Sequence, residues 1–173
     1  PRVREKICPV RSSGSTMSLD ALPDDFRDFL VALADAQAEF VLLGGWAVAL
    51  HGRPRATDDL DVLVRATPEN AGRVFQALAA FGAPVAAHGV NRDVFAREGY
   101  GYRFGVKPNL VEVLTTVSGI DFDGAMRDAL RVTVDGRPIL VIGREALIAN
   151  KKAAGRNKDL DDVAWLEANP PKR

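Results

Sequence analysis

Val41-Leu-Leu-Gly-Gly-Trp-Ala, followed by Arg55-Ala-Thr-Asp-Asp-Leu-Asp-Val-Leu-Val, decides the fold of this chain. The apolar run from Phe40 to Leu43 reads as a short buried strand. Gly44-Gly45 breaks it, and Trp46 to His51 reads as a brief helix ending at Gly52. A polar loop from Arg53 to Asp58 then leads into a second strand, Leu60 to Val64, entered through two acids. Alternate side chains of a strand share a face, so Asp59 and Asp61 project together while Leu60 and Val62 point the other way. Two carboxylates side by side, one helix away from a glycine turn, suit a divalent metal that carries a nucleotide's phosphates.

Upstream, Phe26, Phe29, Leu30, Leu33 and Ala34 have the spacing of an amphipathic helix, with Pro23 at its first turn. Downstream, Thr67-Pro68-Glu69 reads as an N-cap, a proline at the first helical position and an acid in the first turn. That helix runs to about Phe81 and stops at Gly82. Residues 83–100 are rich in Ala, Gly and charge; within them Arg92 to Arg97 predicts one or two helical turns. Two strands follow, Tyr102 to Val106 and Leu110 to Thr115, joined by a Lys107-Pro-Asn turn. A short helix over Asp121 to Leu130 comes next. Asp135-Gly136 between two extended runs is a strong signal for a type I′ hairpin. Helices at Arg144 to Ala154 and Asp159 to Leu166 close the chain. This order predicts an α+β domain, a mixed sheet over about 40–142 with helices on one face and closing C-terminal helices over 144–166.

The chain of 173 residues is long enough to bury a full core as one domain, taken here as 17–173. Residues 1–16 lack periodicity and precede Met17; they read as a leader outside the fold. With 23 basic and 23 acidic residues, any nucleic-acid-binding surface must come from local clustering. The single cysteine, Cys8, excludes an intramolecular disulfide and fits a cytoplasmic protein. No apolar run is long enough to span a membrane.

Taken alone, Asp59-x-Asp61 reads sooner as a pair of solvated turn acids. Glu112 changes the balance. It lies between Val111 and Val113 in an apolar strand, where a carboxylate is costly unless paired or metal-bound. If that strand neighbours Leu60–Val64, all three acids converge, and such a cluster can hold two magnesium ions. Gly44 and Gly45 let backbone approach a phosphate, and the helix beginning at Trp46 offers free N–H groups. Arg55 is read as a phosphate clamp or as the partner of Asp58. Lys151 is read as a phosphate ligand or as part of a solvated charged face; Lys152, about 100° round the helix, points elsewhere. His51 and His88 have no catalytic or zinc-binding pattern around them, and neither a Walker sequence nor a dinucleotide fingerprint is present.

The pattern G-G-W-A … R-x-T-x-D-x-D, with fourteen residues from Gly45 to Asp59, resembles the minimal nucleotidyltransferases of the DNA polymerase beta superfamily. Within it the chain looks most like the small bacterial abortive-infection and toxin–antitoxin proteins. The run Leu147-Ile-Ala-Asn-Lys-Lys, continuing through Arg156 to Asp162, resembles the helix that packs over the cleft there and the K-D-x-x-D helix after it. The resemblance implies that Asp59 and Asp61 bind both metals and Glu112 the catalytic one, and that Thr57 lies near the triphosphate. Many relatives have Asp at the third position. For Asp159 and Asp162 a structural role is favoured.

The expected function is magnesium-dependent transfer of a nucleoside monophosphate from an NTP to a hydroxyl. The expected acceptor is RNA or protein, with a cognate antitoxin or a second copy as partner. Arg53, Arg55, Lys151, Lys152, Arg156 and Lys158 would form a basic rim. Three other readings stay open: a non-catalytic binding module on the same fold, a transferase acting on a small antibiotic, and a two-metal nuclease.

Overall fold

Phe40–Leu43 (β1) is buried at every position, because both of its edges and both of its faces are covered. It lies inside a six-stranded mixed sheet of order β3-β4-β2-β1-β6-β5. β2 (Asp59–Val64) runs antiparallel to β1, and β6 (Arg137–Val141) runs parallel to it. β4 (Asn109–Leu114) lies parallel to β2, so the two acid-bearing strands are neighbours. β3 (Gly101–Val106) and β5 (Leu130–Val134) pair antiparallel with β4 and β6 and form the two edges. The computed structural model describes residues 21–171; the proposed leader 1–16, Met17 and Cys8 lie outside them.

Two faces of this sheet do different work. Leu60, Val111 and Phe104 stand in one register row on the apolar face. Helix α1 (Asp24–Asp35) and helix α3 (Pro68–Phe81) cover that face, with Phe29 and Phe81 edge-on to each other at 5.3 Å and Phe29 at 5.5 Å from Phe104. The opposite face carries the acids and is roofed at one end by helix α5 (Arg144–Ala154). Helices therefore take both faces, not the one expected, because the acid face carries a cleft that α5 helps to close.

Local chemistry sets the elements. The Thr67 side chain accepts from the Asn70 backbone N–H, capping α3, and Gly82 ends it at φ 85°. Buried Asn70 accepts from the Glu39 N–H and donates to the carbonyls of Glu39 and Arg65. Those residues flank the Phe40–Val64 pair, so one side chain pins the far ends of β1 and β2. Asp135 and Gly136 take φ 46° and 78°, the left-handed pair that a type I′ turn requires.

Four boundaries differ from the sequence expectation. Helix α2 spans Gly44–Leu50, so the glycines are its first two residues and not a turn ahead of Trp46. Helix α4 covers only Phe122–Met126, because Leu130 is drawn into β5. The ambiguous stretch holds one 3₁₀ segment, Arg92–Ala96, anchored by buried Phe95. The β3–β4 turn is the two residues Lys107-Pro108, with Asn109 already in the strand. Helix α6 (Asn157–Ala168) packs on α5. No helix among the described residues is long and apolar enough to cross a membrane.

Candidate active site

The parallel register between β2 and β4 sets Asp61 directly opposite Glu112, with Asp59 one pleat earlier on the same face. The three acids expected to converge do so. They line a cleft of about 510 Å³ with Gly44, Gly45, Arg55, Thr57, Arg103 and Lys151. Burial pushes the Asp61 carboxyl up to about 6, and the negative charges of Glu112 and Asp59 add to the shift while Lys151 opposes it. The Oδ1 atom of Asp59 is buried without a hydrogen-bond partner. A crowded, partly desolvated acid group with an orphaned oxygen fits a cation: the charge would relieve the repulsion and satisfy that atom.

Among the described residues no group of three or more His, Cys, Asp or Glu is already shaped to hold a metal ion.

The glycines owe their identity to close approach. A Cβ on Gly44 would sit 1.9 Å from Asp61 Oδ2, and Gly44 has φ +69°. A Cβ on Gly45 would meet Thr57 Oγ1 at 2.6 Å. The Thr57 hydroxyl in turn lies 3.2 Å from the Asp59 carbonyl, to which it donates, so glycine, threonine and acid are stacked in contact. Gly44→Ala is expected to reduce transfer at least about a hundredfold, since a 1 Å misplacement of a catalytic group can cost that much. Steady-state rates measure it, and a variant within threefold of the parent would show that the Asp61 position is not critical.

The basic residues are arranged differently from the sequence expectation. Arg55 does not pair with Asp58; its Nη1 reaches Asp162 Oδ2 at 2.5 Å, and Arg53 reaches the other oxygen at 2.5 Å. Lys151 is buried and bound at 2.8 Å to both Asp159 and Asp162. It reaches the cleft wall as a neutralised member of a network and not as a free cation. Asp159 also accepts from Arg156 at 2.5 Å. Burial would raise the Asp159 carboxyl, yet the hydrogen bonds from Arg156 and Lys151 hold it below its ordinary value. Lys152 points away and pairs with Glu167. His51 bonds the Ile142 carbonyl oxygen and His88 the Tyr102 hydroxyl, both outside the cleft lining.

Sequence reasoning missed Arg103. It stands opposite Glu112 in the β3–β4 register and donates to Glu112 Oε1 at 3.0 Å. It also missed Thr116, Ser118 and Asn150, which line the same cleft. No motif marks these residues; only the strand register and the docking of α5 bring them in.

A family model described as aminoglycoside-2''-adenylyltransferase matches residues 26–100. Among solved structures, the antibiotic-resistance factor ANT(2'')-Ia in solution is 18% identical over 83% of this chain and 81% of its own, with a TM-score of 0.53. ANT(2'')-Ia in complex with adenylyl-2''-tobramycin is 17% identical over 82% of this chain and 84% of its own, at 0.51. A candidate nucleotidyltransferase from Thermotoga maritima is 17% identical over 83% and 91%, at 0.54. The chain has a nucleotidyltransferase fold. No curated protein sequence matches it. The family match takes in Gly44, Gly45, Arg55, Thr57, Asp59 and Asp61 and ends before Arg103 and Glu112. It does not speak for the toxin–antitoxin resemblance.

Proposed function

We propose that this protein is a magnesium-dependent nucleotidyltransferase that moves the nucleoside monophosphate of an NTP, ATP first among candidates, to a hydroxyl of a small antibiotic-like acceptor. One observation carries the reading: the unpartnered, buried Asp59 Oδ1 beside Asp61 and Glu112, with Gly44 packed against Asp61. Magnesium held by these acids would polarise the phosphate oxygens and ease deprotonation of the acceptor hydroxyl. The protein's own part is geometric. Gly44 and Gly45 leave room for backbone to approach phosphate. Thr57 braces the Asp59 backbone, and Arg55 is held against the cleft by Asp162. The acceptor oxygen would attack the α-phosphorus, the bond to pyrophosphate would break with its electron pair leaving on pyrophosphate, and the hydroxyl proton would pass to water.

The acceptor end of the cleft restricts what can bind. Residues from Arg103 onward supply four basic residues to the lining, Arg103, Lys151, Arg156 and Lys158, of which the first three are ion-paired, and two acids, Glu112 and Asp159. Asp159 is consumed by Lys151 and Arg156, which leaves Glu112 as the acid an acceptor meets. A polycationic aminoglycoside would find no carboxylate free of the metal site. A neutral or weakly charged hydroxyl compound suits Thr116, Ser118 and Asn150 better. RNA is the alternative acceptor that the assay also tests.

Calorimetry with ATP in magnesium and in EDTA, followed by transfer assays, tests both readings. ATP is expected to bind at least tenfold more tightly with magnesium; equal affinity in the two buffers overturns the metal reading and favours a non-catalytic module. Label from ATP is expected on neutral hydroxyl antibiotics ahead of tobramycin. If the label appears instead on RNA, with a rate falling steeply between about 50 and 200 mM salt, the acceptor is the polyanion.

A further inference from the structure

We infer that Arg103 is a positioning residue for Glu112: it holds the third carboxylate at the cleft edge in the metal-free protein and yields it when the cation binds. The inference rests on the metal reading above. Asp61, Glu112 and Arg103 occupy one register row across three adjacent strands, so all three side chains rise from the same face. Asp61 is the most enclosed of them. Glu112 is intermediate, with a side chain 26% exposed, and Arg103, on the edge strand, is 61% exposed. The row thus runs from a half-buried acid to a solvated cation, with Glu112 between two competing partners.

The backbone beneath Arg103 is fixed while its side chain is not. Tyr102 and Phe104 on either side are buried at 5% exposure and stacked at 5.3 Å. The long arginine stem can therefore swing without moving the strand. Among the described residues its one ion pair is the 3.0 Å contact with Glu112. An exposed pair of this kind is weak enough for a divalent cation to displace. One Glu112 oxygen is occupied by that guanidinium.

Two consequences oppose each other. Arg103 compensates the acid row while no metal is present, and it competes with the metal for Glu112 and repels it. Removing the guanidinium should leave an acid cluster with higher affinity for a divalent ion, by about three- to tenfold for a cation a few ångströms from an Arg in partly exposed surroundings.

Titration of the full chain with Mn²⁺, reading the free-ion signal by electron paramagnetic resonance without nucleotide, tests this. Arg103→Ala is expected to bind Mn²⁺ three- to tenfold more tightly than the parent. Arg103→Lys, which keeps a cation of similar reach, is expected to remain within twofold of it. A purely structural surface pair would change the melting temperature slightly and leave the Mn²⁺ affinity alone. Equal affinities in parent and Arg103→Ala, or an equal gain in Arg103→Lys, overturn the inference while the metal site stands. A parent protein that binds no Mn²⁺ at all, with or without ATP, overturns the metal reading and this inference with it.

Discussion

Asp61→Asn is expected to abolish nucleotidyl transfer and, in the metal-free protein at pH 8, to raise the melting temperature by about 3–6 °C. The two effects share one cause. Asp61 is half-buried between Glu112 and Asp59, and its carboxyl is held up at about 6 against an ordinary 3.8. The folded state therefore binds more protons than the unfolded state between about pH 4 and pH 6, and stability falls as pH rises through that window. Above it the full penalty is present. A two-unit rise corresponds to about 3 kcal/mol, of which asparagine recovers the charge part and not the cost of burying a polar group, leaving about 1–2 kcal/mol. The gain should shrink toward zero near pH 4, where the parent side chain is protonated. Magnesium and ATP together should stabilise the parent and not the variant, because only the parent retains the ligand. Melts at pH 4, 6 and 8 with a parallel activity assay check it. Retained activity would falsify the placement of Asp61 in the metal site, and a stability difference independent of pH would refute the crowded-acid account.

The acids were legible in the sequence for a reason that does not depend on tertiary detail. A carboxylate inside an apolar strand needs a partner, and the period of two gives its face. Asp59, Asp61 and Glu112 could thus be read together once their strands were taken as neighbours, and β2 and β4 do pair in parallel. Gly44 and Gly45 were recognisable as a site of close approach, although what approaches them in this protein is Asp61 and Thr57. Arg103 was hidden by a single residue of turn length. With a three-residue Lys107-Pro-Asn turn, Glu112 would stand opposite Phe104; with the two-residue turn it stands opposite Arg103. Such a one-residue slip exchanges the two faces of a strand, and local composition does not fix it.

The cationic half of the site was misread because charge pairing is not local in sequence. Arg55 adjoins Asp58 closely in the chain, yet its partner, Asp162, lies on a helix more than a hundred residues later. Helical spacing predicted that Lys151 and Lys152 face apart, and they do. It could not predict that α6 would bring two buried acids beneath Lys151. Asp159 and Asp162, assigned a structural role on their pattern alone, are the two acids of that network.

Asp162→Ala is expected to be strongly destabilising, at about 3–5 kcal/mol. Its side chain is 2% exposed and receives three cations: Arg53 and Arg55 from the loop ahead of β2, and Lys151 from α5. Truncation leaves Lys151, 6% exposed, with Asp159 alone, which Arg156 also claims. An uncompensated buried charge is what makes the loss of one partner costly, more than the loss of any single ion pair. The loop from Arg53 to Asp58 would lose its tie to α6, and with it the support beneath Thr57 and Asp59. Urea denaturation of the parent, Asp162→Ala and the double variant Asp162→Ala with Lys151→Met separates these contributions. Removing the lysine charge as well should restore about half of the lost stability, since an apolar pair is tolerated where a lone cation is not. Activity should remain low in the double variant, because Arg53 and Arg55 are still unanchored. A single variant less than about 1 kcal/mol below the parent would mean that the network behaves as a solvated surface cluster. No recovery in the double variant would instead show that Asp162 acts through the two arginines and not through Lys151.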